Sequence, residues 1–392
     1  MNQMTSHPVS LDWIERLVSI DTVSRNSNLG LIEVVRDELA KLGVRSVLTH
    51  HSTGKWANLF ATIPSVTGQN TGGIVLSGHT DVVPVDGQDW ATDPFKPVII
   101  DGKMYGRGTC DMKGFIGAAL ALVPQMQAAK LQRPIHLALS FDEEVTCLGA
   151  PIMIEELMRR GINPEGCIVG EPTGMRPIIA HKGINAYECC VRGHAAHSSL
   201  TPHGLNAIEY AARIICFIRD MADEFKQKGP FDELYDVPFT TAQASTIIGG
   251  NAMNTVPAEC KFQFEFRNLP TINPKPIFER IQRYANEVLL PQMKREHASG
   301  AIDFTLISDA PGLDASEQAA ITQLVRALTG DREQRKVAYG TEAGQFQEAG
   351  IPSVICGPGD IMQAHKANEF VTLDQIVQCE SFISKVIRSL ES

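Results

Sequence analysis

The stretch Ile74-Val75-Leu76-Ser77-Gly78-His79-Thr80-Asp81 decides how this chain is read. A short apolar run ends abruptly on a histidine and an aspartate. Such a run reads as a buried strand whose carboxyl end opens onto polar chemistry. Outward from it, residues 58–63 and 135–141 are further strand-like runs, and 168–170 is a short buried one. Helical spacing appears at 11–20, where Ser10 can cap the first turn, at 31–42, which stops at Gly43, and at 112–129. This alternation predicts an α/β fold with a mainly parallel sheet covered on both faces.

The middle of the chain changes character. Residues 183–193 read as a strand, 206–222 as a helix, 241–248 and 260–267 as strands, 276–290 as a helix and 301–307 as a strand. In the second of the paired strands Phe262, Phe264 and Phe266 alternate, the period of a half-buried sheet. The order β-α-β-β-α-β is the split-βαβ, ferredoxin-like pattern. The α/β pattern then resumes at 316–329, 337–339 and 353–356 and closes with a helix at 373–390. A chain of 392 residues exceeds one comfortable core. Two domains are expected: a discontinuous one from 1–183 and 309–392, and an inserted α+β one over 184–308.

Four more strings join the first: Gly108-Thr109-Cys110-Asp111-Met112-Lys113-Gly114, Asp142-Glu143-Glu144, Gly170-Glu171-Pro172-Thr173 and Gln363-Ala364-His365-Lys366. Taken singly, each has a bland reading: a solvated charge run for Asp142-Glu143-Glu144, a satisfied strand-end histidine for His79. Jointly they supply His79, Asp111, Glu144, Glu171 and His365, with Glu143 left over beside a ligand. Imidazole nitrogen and carboxylate oxygen are zinc donors. Two first-row ions sharing one carboxylate need about this inventory, and the spare glutamate is then a general base. The residues therefore read as a two-metal hydrolase.

Bulk numbers exclude other classes. With 35 Lys+Arg against 45 Asp+Glu, the formal net charge is −10, which disfavours nucleic acid and anionic membrane as partners. The polar start, Met1 to Pro8, lacks the layout of a signal peptide. The apolar run at 115–123 stops at Pro124, too short to span a bilayer. Nine cysteines without regular spacing, Cys189 and Cys190 adjacent in a strand-like run, suggest reduced packing thiols in a cytoplasm.

The five strings together resemble the di-zinc aminoacylase/carboxypeptidase family of metallopeptidases, over nearly the whole chain, insertion included. The resemblance implies a zinc-peptidase-like catalytic domain, an inserted domain that serves as lid and dimerisation surface, and two Zn²⁺ ions per subunit, with Co²⁺ as a possible substitute. His79 and Glu171 would hold one ion, Glu144 and His365 the other, and Asp111 would bridge. Asp81 would orient the His79 imidazole, and Glu143 would take a proton from the water between the metals and deliver it to the departing amine. Some relatives carry Asp rather than Glu at position 171. Within the family, Ala180-His181-Lys182-Gly183, Gly340-Thr341-Glu342-Ala343, Gly357-Pro358-Gly359 and Asn368-Glu369-Phe370 are similar to the branch that deacetylates N²-acetyl-L-ornithine in arginine biosynthesis. Removal of succinyl groups from diaminopimelate, or hydrolysis of other N-acyl amino acids or dipeptides, rests on the same metal site and stays open. A catalytically inactive binding protein of this fold should have lost a ligand or the base, and all six are present.

The insertion has its own candidates by the same resemblance. In Gly193-His194-Ala195-Ala196-His197-Ser198-Ser199, His197 would reach across a homodimer interface to the oxyanion in the partner's site, while His194 is structural. Asn254 and Arg267 would grip the substrate carboxylate, a task suited to the planar fork of arginine. Glu342, in a Gly-rich loop shortly before His365, would pair with the cationic end of an ornithine-like substrate.

Overall fold

In the computed structural model, which describes residues 7–391, every residue of the Ile74–His79 strand is buried. The start of the chain read above lies outside those residues but for His7 and Pro8. The strand runs through a six-stranded sheet ordered Ser46–His50, Ala57–Ile63, Ile135–Ser140, Ile74–His79, Gly166–Pro172, Ser353–Gly357. The first two pairings are antiparallel and the other three parallel. Period-two alternation places Leu59, Ile74, Leu76, Leu137, Leu139, Ile168 and Val354 in one core with Phe115, Val325 and Phe382 from the helices. The residues between them, Val75, Ala138, Val169 and Ile355, are also fully buried. Helices Gly149–Arg159 and Ala343–Glu348 pack on the sheet and on each other. Burial on both faces is what allows uninterrupted apolar strands without alternation.

Local details differ from the sequence reading, each for a physical reason. The first helix is Leu11–Val18, but the Ser10 hydroxyl donates to Glu380 Oε1 at 2.7 Å instead of capping it. A charge-assisted bond to a carboxylate outcompetes a neutral cap. The long helix expected at 112–129 is two, Lys113–Ala121 and Val123–Ala128, with Pro124 in the first turn of the second. Proline has no N–H to continue the ladder. The strand Ser46–His50 was not legible, because it is evenly half-buried and shows no alternation. The run at 337–339 is only the two-residue strand Lys336–Val337.

The chain divides into two compact units. One runs to Ala180 and resumes over Leu313–Lys336 and from Thr341 onward; the other holds His181–Gly312 and Val337–Gly340. The second unit carries an antiparallel sheet ordered Thr241–Gly249, Glu259–Arg267, Ile184–Arg192, Ala301–Ala310. In chain order its elements are β-α-β-β-α-β, with helices Ala207–Lys228 and Lys275–Arg283 on one face. Phe262, Phe264 and Phe266 all point into that core. Among the described residues no helix is long and apolar enough to cross a membrane.

Close packing of helix on strand gives a direct check. A Cβ added at Gly170 would fall 2.0 Å from the Phe115 ring, whereas one at Gly30, exposed in helix Leu29–Lys41, meets nothing within 4 Å. Gly170→Ala is expected to destabilise by roughly 2–3 kcal/mol. Gly30→Ala is expected to be neutral or to stabilise by up to about 1 kcal/mol. Urea unfolding of both variants would show it, and equal midpoints would contradict this packing.

Candidate metal centre

Strand register gathers the donors. Ser77 pairs with Val169, and His79 with Ser140. His79 and Glu171 therefore stand at one level on neighbouring parallel strands, and Glu143 and Glu144 lie in the turn just beyond Ser140. This is the carboxyl edge of the sheet, where open α/β folds bind ligands. Asp142 turns the chain there with φ of 64°. Asp111 comes from the loop that leads into helix Lys113–Ala121.

The Asp111 carboxylate faces two ways. Its Oδ1 is 3.0 Å from His79 Nε2 and its Oδ2 is 3.3 Å from His365 Nε2. His365 Nε2 also lies 3.0 Å from Glu144 Oε2. On the other side His79 Nε2 is 3.6 Å from Glu171 Oε1 and 4.0 Å from Glu143 Oε2. One donor atom from each of His79, Asp111 and Glu144 falls within 4.8 Å of the others, and so do those of His79, Glu143 and Glu171. Four carboxylates thus share a pocket with two imidazoles. Asp111, Glu143, Glu144 and Glu171 are at most 10% exposed, while His365 is 54% exposed. Buried anions at this density need cations, and the donors are those that hold divalent first-row ions. The residues fit a pair of such ions, one on each side of Asp111.

Electrostatics follow the same crowding. Burial would raise the Asp111 carboxyl, but hydrogen bonds from His365 and His79 outweigh it and hold it well below the usual carboxylate range. Those bonds to Asp111 and Glu144 lift the His365 imidazole to about 10. Burial, with the Asp111 charge beside it, pushes Glu144 up to about 7. Burial also raises Glu143 and Glu171 well above the ordinary value, helped by their acidic neighbours. In His79 burial favours the neutral ring, and the charges of Glu171 and Asp111 more than reverse it.

Asp81 contacts the His79 ring through its main chain. The His79 Nδ1–H donates to its backbone carbonyl at 2.9 Å, and its carboxylate is farther from that nitrogen, at 3.7 Å. This still leaves His79 Nε2 aimed at Asp111. The Asp81 carboxylate holds the base-bearing turn instead: Oδ1 accepts from the Glu143 N–H at 3.1 Å, Oδ2 from the Glu144 N–H at 3.3 Å and from the Ser24 hydroxyl at 2.7 Å. Ser24 escaped notice because nothing local marks a hydroxyl so far upstream. Glu342 is 1% exposed, at the start of helix Ala343–Glu348, and burial raises its carboxyl to about 7. Its carboxyl feels the charges of His79 and Asp81.

In the second unit, His197 is exposed and caps the turn Ser198–His203, its Nδ1 accepting from the Ser199 N–H. Its Nδ1 also lies 2.8 Å from the Ser199 hydroxyl. Asn254 stands beside it, its carbonyl accepting from the Ser198 N–H at 2.9 Å. Arg267 ends its strand half-buried and pairs with Glu265 at 3.1 Å. His194 stacks on His297 with ring centroids 3.8 Å apart.

Known proteins share this plan. The profile of Peptidase family M20/M25/M40 matches residues 75–389. The acetylornithine deacetylase of Pasteurella multocida (strain Pm70) is 36% identical over 371 residues, 94% of this chain and 93% of that protein. That of Myxococcus xanthus is 31% identical over 377 residues, 95% of each. An M20-family metallo-carboxypeptidase from Sulfolobus solfataricus has the same fold, with a TM-score of 0.75 at 18% identity over 97% of this chain and 99% of that one. A dinuclear metal-binding M20 peptidase from Bacillus subtilis matches with a TM-score of 0.65 at 13% identity, over 97% and 98%. Fold, donors and relatives together define a metal-dependent hydrolase. The chain belongs to the M20/M25/M40 peptidase family.

Because the surrounding carboxylates raise the proton affinity of His79 and His365, a cation competes with protons for their nitrogens. Zinc uptake is expected to release on the order of one proton or more per chain near pH 7, and to weaken as pH falls. Calorimetric titration in two buffers of different ionisation heat measures this. Uptake with no proton released would count against the arrangement.

Proposed function

We propose that this chain removes the acetyl group from N²-acetyl-L-ornithine, giving L-ornithine and acetate in arginine biosynthesis. The observation that carries the reading is that nearly the whole chain is 31–36% identical to two acetylornithine deacetylases. The donor cluster on the sheet edge supports the chemistry. Two divalent ions, Zn²⁺ or Co²⁺, held by His79, Glu171 and Asp111 on one side and by Glu144, His365 and Asp111 on the other, would polarise the amide carbonyl and acidify the attacking water.

The remaining work falls to the protein. Glu143 is the general base: its carboxylate takes a proton from the attacking water and returns it to the amide nitrogen as that bond breaks. Its high proton affinity, set by burial, suits a group that must hold a proton between the two transfers. The buried Asp81 keeps Glu143 and Glu144 aimed apart by fixing the N–H of each. His197 donates its Nε2–H to the developing oxyanion, and Arg267 with Asn254 receives the α-carboxylate. In this reading the first unit is catalytic, and the second is both lid and dimerisation domain. Glu342, being buried, is left out of the substrate contacts. All nine cysteines are free thiols, which supports a reducing cytoplasmic setting.

We further propose a homodimer in which His197 serves the partner's site. The strand Thr241–Gly249 is the last of its sheet and has one neighbour. On and near it Ile247 is 53% exposed, Ile248 79% and Met253 100%. An open, apolar strand edge is a ready surface for a second copy.

Two experiments test these readings. Metal-loaded protein should prefer N²-acetyl-L-ornithine over N-succinyl-diaminopimelate and N-acetylmethionine. Glu143→Gln should lower kcat by about 10²–10⁴ while metal content stays the same. Preference for another substrate would move the enzyme within its family. Ile248→Glu should shift sedimentation from dimer to monomer and remove activity without removing metal. A fully active monomer would refute the shared site.

A further inference from the structure

Glu369 is fully buried, and both of its oxygens are engaged on the loop that carries Asp111. Its Oε1 accepts three backbone N–H bonds, from Gly108 at 3.0 Å, Cys110 at 2.9 Å and Asp111 itself at 3.0 Å. Its Oε2 accepts from Arg107 Nη1 at 2.6 Å, and the Arg107 side chain is 1% exposed. The Gly106 N–H donates to the Glu369 carbonyl at 3.0 Å. From there the contacts continue to His365. Arg107 Nη2 donates to Gln88 Oε1 at 2.6 Å, and Gln88 Nε2 donates to the His365 carbonyl at 3.0 Å. Arg107 Nη1 also reaches the Lys366 carbonyl at 3.3 Å.

The segment so held is strained. His365 and Asn368 have φ of 64° and 58°, a region side chains with Cβ rarely occupy. Such conformations persist only where the surroundings over-determine them. Here the surroundings are Gln88, Arg107 and Glu369, together with Asn368 Oδ1, which accepts from the Ala91 N–H at 2.8 Å.

We propose that Glu369, acting with Arg107 and Gln88, is a positioning residue: it sets Asp111 and His365 to the spacing at which they can share one divalent ion with Glu144. This rests on the metal-site reading above and extends it to residues that touch neither ion nor substrate. The Glu369 carboxylate ties the Asp111 backbone, and the Arg107–Gln88 arm ties the His365 backbone to the same point. Asp111 faces both ions, so both should feel the change, but the ion between Asp111, Glu144 and His365 should feel it more, because the same contacts also tie the His365 backbone.

The test is calorimetric titration of the chelator-stripped full chain with Zn²⁺. His365→Ala marks which binding step belongs to the His365 side. Glu369→Gln keeps the side-chain shape but turns an amide donor toward Arg107 or toward the backbone N–H groups. It is expected to weaken that step 10- to 100-fold, the usual effect of removing a ligand's supporting partner, and to weaken the other step, which shares Asp111, by a clearly smaller factor. Gln88→Ala, a partly exposed change that spares the buried pair, should weaken the same step by a smaller factor even if Glu369→Gln folds poorly. Unchanged affinity at both steps, or equal weakening of both, would overturn the inference. The titration uses no substrate, so a failure to hydrolyse acetylornithine with two ions bound would sink only the substrate reading. A wild type that binds fewer than two ions would sink the metal site and this inference together.

Discussion

Four carboxylates, from Asp111, Glu143, Glu144 and Glu171, meet nearly buried in one pocket, around one buried imidazole and one that opens to solvent. Their mutual repulsion is the constraint around which the first unit is built. In water such groups would drift apart or take up protons. Here their places are imposed by the backbone of strand ends and of the loops anchored beside them. Two parallel strands carry His79 and Glu171 at one level, and the turn after a third carries Glu143 and Glu144. The sheet can bear this load because both of its faces are packed with apolar side chains.

Two carboxylates outside the donor set do the holding, and they do it in the same manner. Asp81 accepts from the N–H groups of Glu143 and Glu144, and Glu369 accepts from the N–H of Asp111 and two of its neighbours. Each anchors a loop through its main chain and so leaves the loop's own carboxylates free to face inward. Anion-to-amide bonds are strong when buried. They also place negative charge behind the loops, which sharpens the need for cations in front. The same geometry that organises the pocket thus raises its demand for metal.

Three of the five strings could be placed from the sequence because each sits where an apolar run ends; Asp111, before a helix, and His365, in a loop, had no such mark. Ile74-Val75-Leu76 leads to His79, Leu137-Ala138-Leu139 to Glu143 and Glu144, Ile168-Val169 to Glu171. Strand periodicity fixes those positions locally, so no long-range knowledge is required. The insertion was legible for a similar reason, the alternation of Phe262, Phe264 and Phe266. What escaped depends on pairings between distant segments. Ser10 meets Glu380, Ser24 meets Asp81, and Glu369 meets a loop more than 250 positions away. Glu369 was visible only as part of a resembling string, with no role attached. Glu342 was placed in the sequence only by its Gly-rich loop, which runs into a buried helix start.

The two sides of Asp111 are not equivalent, and the difference follows from how each is made. His79 and Glu171 belong to central strands and are almost fully buried, so their positions are as rigid as the sheet. Across the carboxylate, Glu144 stands in a turn and His365 in a loop; His365 is half exposed and its backbone lies in the left-handed region. A donor on such a loop keeps its place only through contacts from distant segments, whereas a donor on a central strand is placed by the sheet itself. The His365 side is therefore where the fold leaves room for adjustment and where supporting contacts matter most. The pocket thus has one fixed wall and one yielding wall. The chain places the fixed one on its sheet and the yielding one on the segment that Arg107, Gln88 and Glu369 hold in place.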